Sequence, residues 1–411
     1  MHDVVIVGAG IAGLTCARVL NEKGVKSIVL EASDGIGGRA RSDEVDGFIL
    51  DRGFQVLLTA YPEAQRLLDY PALHLSEFEP GAVVRVDGSF HRIQDPMRRP
   101  LSVLASALAP VGSLADKLKI AKLRNQVTRE SLDAIMSSKE VSTAEFLRSF
   151  GFSERIIETF FRPFLGGIFL ERDLATSSRM FQFVFRMFSQ GSAALPAKGM
   201  GEIAKQLAVP LPADTIRLRE RVAKVETGKV SLASGEHLAT RAVVIGTDRP
   251  SATRLLPGLR DRPACGTTCF YYAAEQPPVR GAMLALNGEG QGIINNLCVP
   301  SEVCSSYAPK GRCLISVSVI GAAPDNCEPQ VRTELTAWFG EKAKSWEFLR
   351  AYDIPFALPS QAASESGVGK PGGKLGPGIF ACGDYLDTAS INGAMASGRR
   401  TAEAILAELS A

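Results

Sequence analysis

One stretch near the start of the chain leaves it few choices of fold. Asp3 to Val7 (DVVIV) is a β-branched run, too short for a helix and apolar enough for a buried parallel strand. It leads directly into Gly8-Ala9-Gly10-Ile11-Ala12-Gly13, a G-x-G-x-x-G turn. Leu14, Ala17, Val19 and Leu20 then recur at helical spacing until Gly24, and a second strand from Lys26 to Leu30 finishes on Glu31. This strand–helix–strand unit, about 30 residues long, is the signature of a Rossmann-like α/β fold that binds a dinucleotide. Each residue type has its reason. Gly8 permits the tight turn, Gly10 lets the backbone approach a pyrophosphate, and Gly13 lets helix and strand pack closely. The helix N-terminus offers N–H groups and a partial positive charge to the phosphates. Glu31, 18 positions after Gly13, stands where a carboxylate accepts hydrogen bonds from ribose hydroxyls.

Bulk properties mainly exclude. A length of 411 residues suits two or three structural units, with a core large enough to enclose a cofactor. The net charge of +2, with no long basic run, gives no reason to expect a nucleic acid. The eight cysteines, at 16, 265, 269, 298, 304, 313, 327 and 382, contain no C-x-x-C pair, and the four histidines have no ligand-like spacing. Thiols in a reducing compartment and no metal site are therefore expected. No apolar run approaches the ~20 residues of a spanning helix. With strand-like sequence beginning at Asp3, nothing is expected ahead of the fold, and the location expected is cytoplasmic. The apolar segment Leu101 to Val111, preceded by Arg98 and Arg99, runs into Leu114 and Leu118 among Lys117, Lys119 and Lys122. A surface helix with a solvated basic face is the favoured reading, and peripheral membrane contact is the alternative.

The glycine turn does not separate NAD from FAD, but the residues after Glu31 do. In Ala32-Ser33-Asp34-Gly35-Ile36-Gly37-Gly38-Arg39 the chain resembles the flavin-containing amine oxidoreductase superfamily, which includes amine oxidases, protoporphyrinogen oxidases and phytoene-desaturase-like enzymes. The resemblance implies FAD as cofactor. It implies that Glu31 and Ala32 lie at the ribose, that Gly37 and Gly38 hug the pyrophosphate, and that Arg39 meets it with paired donors. Ser33 stands where some amine oxidases carry arginine, so that contact is not carried over. Asp51-Arg52-Gly53-Phe54-Gln55 resembles the next family segment, whose backbone at Gly53, Phe54 and Gln55 passes near the isoalloxazine ring; a plain β-turn is the other reading.

The other end of the chain carries the matching half. Gly378 to Asp384 (GIFACGD) reads as a short buried strand ending in Gly-Asp, followed by Gly393-Ala394-Met395-Ala396-Ser397-Gly398 and an amphipathic helix through Ala402, Ile405 and Leu409. The resemblance implies that Gly383 and Asp384 bind the ribityl and phosphate part of FAD. A helix starting near Asn392, with Gly393 and Ala394 in its first turn, would aim its positive end at the flavin's pyrimidine edge. Glu220 to Val225 and Ala242 to Thr247 read as a strand pair, and the resemblance puts the backbone at Val222 beside adenine. The implied fold is α/β: a Rossmann-like FAD-binding domain from discontinuous segments (1–70, 195–260 and 365–411) with a mixed α+β substrate domain (71–194 and 261–364). Residues 71–194 read as helical and residues 261–364 as strands.

A flavin needs little from side chains, because the ring itself accepts the hydride. No hydrolytic triad is visible, and no catalytic side chain is assigned. Many amine oxidases carry a lysine near flavin N5; the matching stretch Ala264 to Tyr271 (ACGTTCFY) has none. The aromatic pair that frames an amine is not evident around Tyr352 to Gln361. Eight phenylalanines lie between Phe160 and Phe188, where either an apolar tunnel or helical core packing accounts for them. The expectation is dehydrogenation of a large apolar substrate, desaturase-like or protoporphyrinogen-oxidase-like, with oxygen or a quinone as acceptor. The alternatives are an amine oxidase acting on a small amine and a non-catalytic lipid-binding relative of the Rab GDP-dissociation-inhibitor type. A reductase drawing on NAD(P)H is disfavoured, because Gly288 to Gly292 reads as a hairpin turn and not as a second fingerprint.

Overall fold

The computed structural model describes residues 2–94, 109–256, 259, 263–321, 323, 326–365 and 373–410. Arg98, Arg99 and most of the apolar segment from Leu101 lie outside them.

The first sheet gathers segments from the whole length of the chain. Its parallel centre has the order Ile216–Leu218, Ser27–Glu31, His2–Val7, His237–Ile245, with Ile379–Ala381 beside the last. Apolar residues on both faces of these strands are what a parallel sheet covered on both sides requires. Val4 and Ile6 pack with Leu14, Ala17 and Leu20 of the helix Ile11–Glu22 and with Met395 and Ile405 of the helix Ile391–Ser410. Val5 and Val7 face the other way, onto Val225, Val230 and Ala252. Each such fully buried aliphatic side chain contributes about 1.5–3 kcal/mol. The first and last helices touch so closely that a Cβ on Gly398 would overlap the Ala12 carbonyl.

The expected pairing of 220–225 with 242–247 is corrected. Val222–Glu226 pairs with Lys229–Leu232, which in turn pairs antiparallel with the start of His237–Ile245. Lys229–Leu232 (KVSL) is too short and too polar to stand out, and the turn at Gly228 (φ 78°) folds it in between.

The second sheet has seven strands in the order Glu347–Pro359, Ala264–Ala274, Cys313–Ile320, Ile294–Cys298, Leu284–Asn287, Gly81–Val86, Ser89–Gln94. Residues 288–292 do form the hairpin loop between Leu284–Asn287 and Ile294–Cys298. Gly81–Val86 and Ser89–Gln94 depart from the helical reading of 71–194: Ala82, Val84 and Val86 alternate into a core, and Asp87-Gly88, both at positive φ, makes the tight turn. Val317, Val319 and Phe270 on one face of this sheet pack against Val331 and Leu335 of the helix Glu328–Phe339. The helical segments Ile157–Phe161 and Arg162–Phe169 also pack against this sheet.

Most of the phenylalanine concentration is core. Phe161, Phe169, Phe181 and Phe183 are buried in the main cluster, and Phe160, Phe164, Phe185 and Phe188 pack against it half-buried. Among the described residues no helix is long and apolar enough to cross a membrane. Seven of the eight cysteine thiols are buried.

Candidate functional site

The glycine turn lies at the C-terminal ends of the parallel strands. Gly8 has φ 104°, and a Cβ there would come 2.9 Å from the Gly246 carbonyl oxygen, so only glycine fits. A Cβ on Gly13 would overlap the Gly8 carbonyl, which is the helix–strand contact expected of it. Gly10 differs: a Cβ there would find nothing nearer than 3.9 Å. The space in front of Gly10 is therefore open, and behind it Gly37 and Gly38 close in, with Gly10 bridged to Gly37 and Gly37 N–H donating to the Ala9 carbonyl at 2.8 Å. The helix Ile11–Glu22 begins at Gly10 with no side-chain cap and no acidic residue in its first turn. Its first N–H groups thus face open space with their positive partial charge uncompensated.

Glu31 ends its strand beside this turn. Its Oε2 accepts from Ala9 N–H and its Oε1 from Ser33 N–H, each at 2.8 Å, which fixes the carboxylate and leaves further lone pairs for a diol. Ser33 turns its hydroxyl to the Gly35 carbonyl. The chain at 219–222 runs alongside, with Glu220 N–H donating to the Glu31 carbonyl and Arg219 N–H to that of Ser33. Val222 follows there with its side chain buried, so its backbone is what it can offer a ligand.

The two ends of the chain meet at Arg39. Its Nη2 lies 2.7 Å from Asp384 Oδ1, and its Nη1 donates to the Ala357 carbonyl at 2.7 Å. One guanidinium thus joins the N-terminal turn, the C-terminal Gly-Asp and the long strand Glu347–Pro359. Asp384 is buried, and Gly383 N–H donates to Ser397 Oγ on the last helix. That helix starts at Ile391. Gly393 N–H donates to Ser390 Oγ, Ala394 N–H donates to the Ser390 carbonyl, and a Cβ on Gly393 would overlap the Thr388 carbonyl. Ala12 is placed differently from its neighbours: its carbonyl abuts Gly398, so it serves the contact between first and last helices.

The segment 51–55 is held from several sides. Gln55 Nε2 donates to the carbonyls of Arg39 (2.9 Å) and Arg52 (3.0 Å). Arg52 pairs with Asp43 through two hydrogen bonds, and Tyr352 OH donates to Asp43 at 2.8 Å. Phe54 meets Phe78 edge to face, and Gly53 lies so close to Ile354 that a Cβ would come within 2.7 Å of it.

Four residues were assigned no role from the sequence. Asp51 is buried, and burial pushes its carboxyl up to about 6 although Ser42, Met200 N–H and Tyr307 all hydrogen-bond it. Tyr271 and Tyr307 approach it from separate elements. Tyr271 also stands edge to face with Tyr352, ring centres 6.0 Å apart. Tyr385, directly after Asp384, has a buried hydroxyl with no hydrogen-bond partner among the described residues. It lines a cavity of about 20 Å³ with Arg39, Arg249, Asp384, Phe356 and Leu358. An isolated tyrosine, or an acid at a strand end, carries no pattern that would have flagged any of these.

The arrangement suits a dinucleotide: an open, donor-rich helix start, a fixed carboxylate at the neighbouring strand end, and a buried phenol left without a partner. Among the described residues no cluster of three or more His, Cys, Asp or Glu side chains could hold a metal ion.

Comparison with known proteins extends this. A family model described as flavin containing amine oxidoreductase matches residues 11–406. Protoporphyrinogen oxidase 2 of Arabidopsis thaliana is 29% identical over 164 residues, 40% of this chain and 32% of that protein. A 15-cis-phytoene desaturase of an Oncidium hybrid is 44% identical over 66 residues, 16% of this chain and 11% of that protein. Putrescine oxidase of Kocuria rosea is 48% identical over 68 residues, 16% of this chain and 14% of that protein. The chain thus spans about a third, or less, of the curated relatives it matches. Whole-chain likeness comes from structures: an oxidoreductase from Methanosarcina mazei superposes with a TM-score of 0.76 at 17% identity, covering 98% of this chain and 100% of the other. Cyclohexylamine oxidase from Brevibacterium oxydans superposes with 0.74 at 18%, covering both chains fully. At such identities the likeness is one of fold.

Proposed function

The chain belongs to the flavin-containing amine oxidoreductase family, with FAD as its cofactor, and we propose that it dehydrogenates a large, mainly apolar organic substrate. When bound, the flavin supplies the hydride acceptor, at N5. In this reading Glu31 and Ala32 hold the ribose, and Gly8, Gly10, Gly13, Gly37, Gly38 and Arg39 surround the pyrophosphate, with Ala12 in the first helical turn facing it through its backbone N–H while its carbonyl meets Gly398. The Val222 backbone meets adenine, Gly383 and Asp384 hold the ribityl chain, and Gly53, Phe54, Gln55, Gly393 and Ala394 lie toward the ring. Residues 1–70, 195–260 and 365–411 form the cofactor domain, and 71–194 and 261–364 the substrate domain.

The observation that carries the substrate reading is the strand Ala264–Ala274 (ACGTTCFYYAA). It reaches the 51–55 segment through the hydrogen bond from Tyr271 OH to the Asp51 carbonyl, and it contains no lysine. A small cationic amine needs a carboxylate or aromatic faces in its site, because an unpaired buried charge is costly. An elongated apolar molecule needs apolar walls and placement. The matched relatives include a protoporphyrinogen oxidase and a phytoene desaturase, which supports this direction, and a putrescine oxidase, which supports the other. In the structure, the Tyr271–Tyr352 pair also favours an amine. Anaerobic stopped-flow reduction of the flavin decides between them, with carotenoid precursors and porphyrinogens in one panel and simple amines and polyamines in the other. Bleaching by the lipophilic panel is expected; saturable bleaching by a small amine alone would replace this reading with an amine oxidase. Peripheral membrane contact is part of the same proposal, since Leu114 and Leu118 stand exposed on one helix among Lys117, Lys119 and Lys122.

A further inference from the structure

Asp51, at the end of a short strand, accepts four hydrogen bonds. Its Oδ1 accepts from Ser42 Oγ at 2.5 Å and from Met200 N–H at 2.8 Å, and its Oδ2 accepts from Tyr307 OH at 2.9 Å. Its main-chain carbonyl accepts from Tyr271 OH at 2.8 Å. These donors come from four separate places: the hairpin strand Ser42–Val45, the start of the helix Gly201–Ala208, the turn Ser305–Tyr307 and the sheet strand Ala264–Ala274. The very next residues are 52–55.

The residue type is informative. Among the described residues no Lys or Arg pairs with this carboxylate, and it is 4% exposed. An asparagine would avoid the penalty of an ionised group in the interior, but its Nδ2 could not accept from Tyr307. The titratable groups that face Asp51 are Tyr307 from the turn, and Tyr271 and Cys269 from the sheet strand. The helix Gly201–Ala208 presents only a backbone N–H, and the hairpin strand only the Ser42 hydroxyl. Burial raises both tyrosines far above their ordinary value and pushes the Cys269 thiol up to about 11. Within this group Asp51 alone changes charge near neutrality.

We infer that Asp51 is a positioning residue: its ionised carboxylate draws four elements onto the root of the 52–55 segment, so that FAD is held tightly only while Asp51 carries its charge. This rests on the reading of Gly53 to Gln55 as ring-facing. When Asp51 is protonated, one of its oxygens becomes a donor and can no longer accept as before, and the segment loosens.

The test is titration of FAD into flavin-stripped protein from pH 5 to 8, followed by quenching of flavin fluorescence. Wild-type affinity should fall about ten-fold on acidification, the worth of one charge-assisted hydrogen bond. The midpoint should lie near the value of about 6 to which burial raises Asp51. Asp51→Asn should bind at the weaker level throughout, with no inflection. Tyr307→Phe removes a donor to the charged form and should move the wild-type midpoint upward, which keeps the test available if Asp51→Asn does not fold. An inflection retained in Asp51→Asn, or an unmoved midpoint in Tyr307→Phe, would overturn the inference. Glu31→Gln, at the ribose end, separates the two levels. If it weakens FAD at every pH while Asp51→Asn matches wild type, the cofactor site stands and the role of Asp51 falls. Failure of the wild type to bind FAD at any pH removes both.

Discussion

Replacing Asp51 by asparagine should remove a pH-dependent loss of stability from the flavin-free fold even as it weakens the hold on FAD. The carboxyl is raised from 3.8 to about 6, chiefly by burial, which the bonds from Ser42, Met200 N–H and Tyr307 only partly offset. The folded state therefore keeps this proton over a range in which the unfolded chain has already lost it. Stability from this group is fully present below the unfolded value and is lost as pH rises through the folded one. A shift of about two units corresponds to ~3 kcal/mol at most, and ~1.4 kcal/mol of that falls between pH 5 and 7.5. Asparagine does not titrate, so its variant escapes the loss. Urea unfolding of both flavin-free proteins at pH 5 and 7.5 measures this as a difference of differences, which cancels any fixed change in hydrogen bonding. The stability of the variant relative to wild type should improve by ~1.4 kcal/mol between the two pH values. Parallel pH dependences, or a relative loss for the variant at pH 7.5, would mean that Asp51 is not a buried, unpaired carboxylate and would remove the physical basis of its positioning role.

The mirror case is Asp116, whose carboxyl is held down to about 2: burial alone would raise it, but bonds from the backbone and hydroxyl groups of Ser113 and Ser153 outweigh that. Asp116→Asn should cost ~2 kcal/mol of unfolding free energy at pH 7, with the wild-type advantage shrinking as pH falls below about 4; equal stabilities at pH 7 would refute it. If Glu31 holds the ribose diol as proposed, Glu31→Gln keeps the shape but removes the charge, and FAD affinity measured by titration should drop about ten- to a hundred-fold. Acid precipitation should release yellow FAD to the supernatant, because Cys382, the thiol adjoining Gly383, is fully buried; colour retained in the pellet would indicate a covalent link.

How much of this was legible depended on what each feature asks of the chain. The cofactor cradle needs backbone that only glycine tolerates, at Gly8 and Gly13, in a contiguous strand–turn–helix order, so it leaves a local signature. The C-terminal Gly383-Asp384 was recognisable for the same reason, although its direct ion pair with Arg39 was not, because nothing local to either residue refers to the other. Lys229–Leu232 and the hairpin Gly81–Gln94 escaped notice because short, half-polar strands gain their stability from neighbours supplied elsewhere. The phenylalanines at 181, 185 and 188 announced a helical face but not what covers it, and the fold answers mainly with other phenylalanines. Asp51 shows the limit most sharply. In Phe48-Ile49-Leu50-Asp51 nothing local marks the acid as buried, and its burial follows only once Ser42, Met200, Tyr271 and Tyr307 are assembled around it. The proposed substrate side would be built in that same way, from ordinary side chains such as Cys269, Tyr271 and Tyr352 placed by two strands of one sheet. Cofactor chemistry constrains the backbone and so can be read locally, whereas substrate choice is set by tertiary juxtaposition. That is why the family follows from the motifs, while the choice between an apolar substrate and an amine requires the flavin to be reduced by one of them.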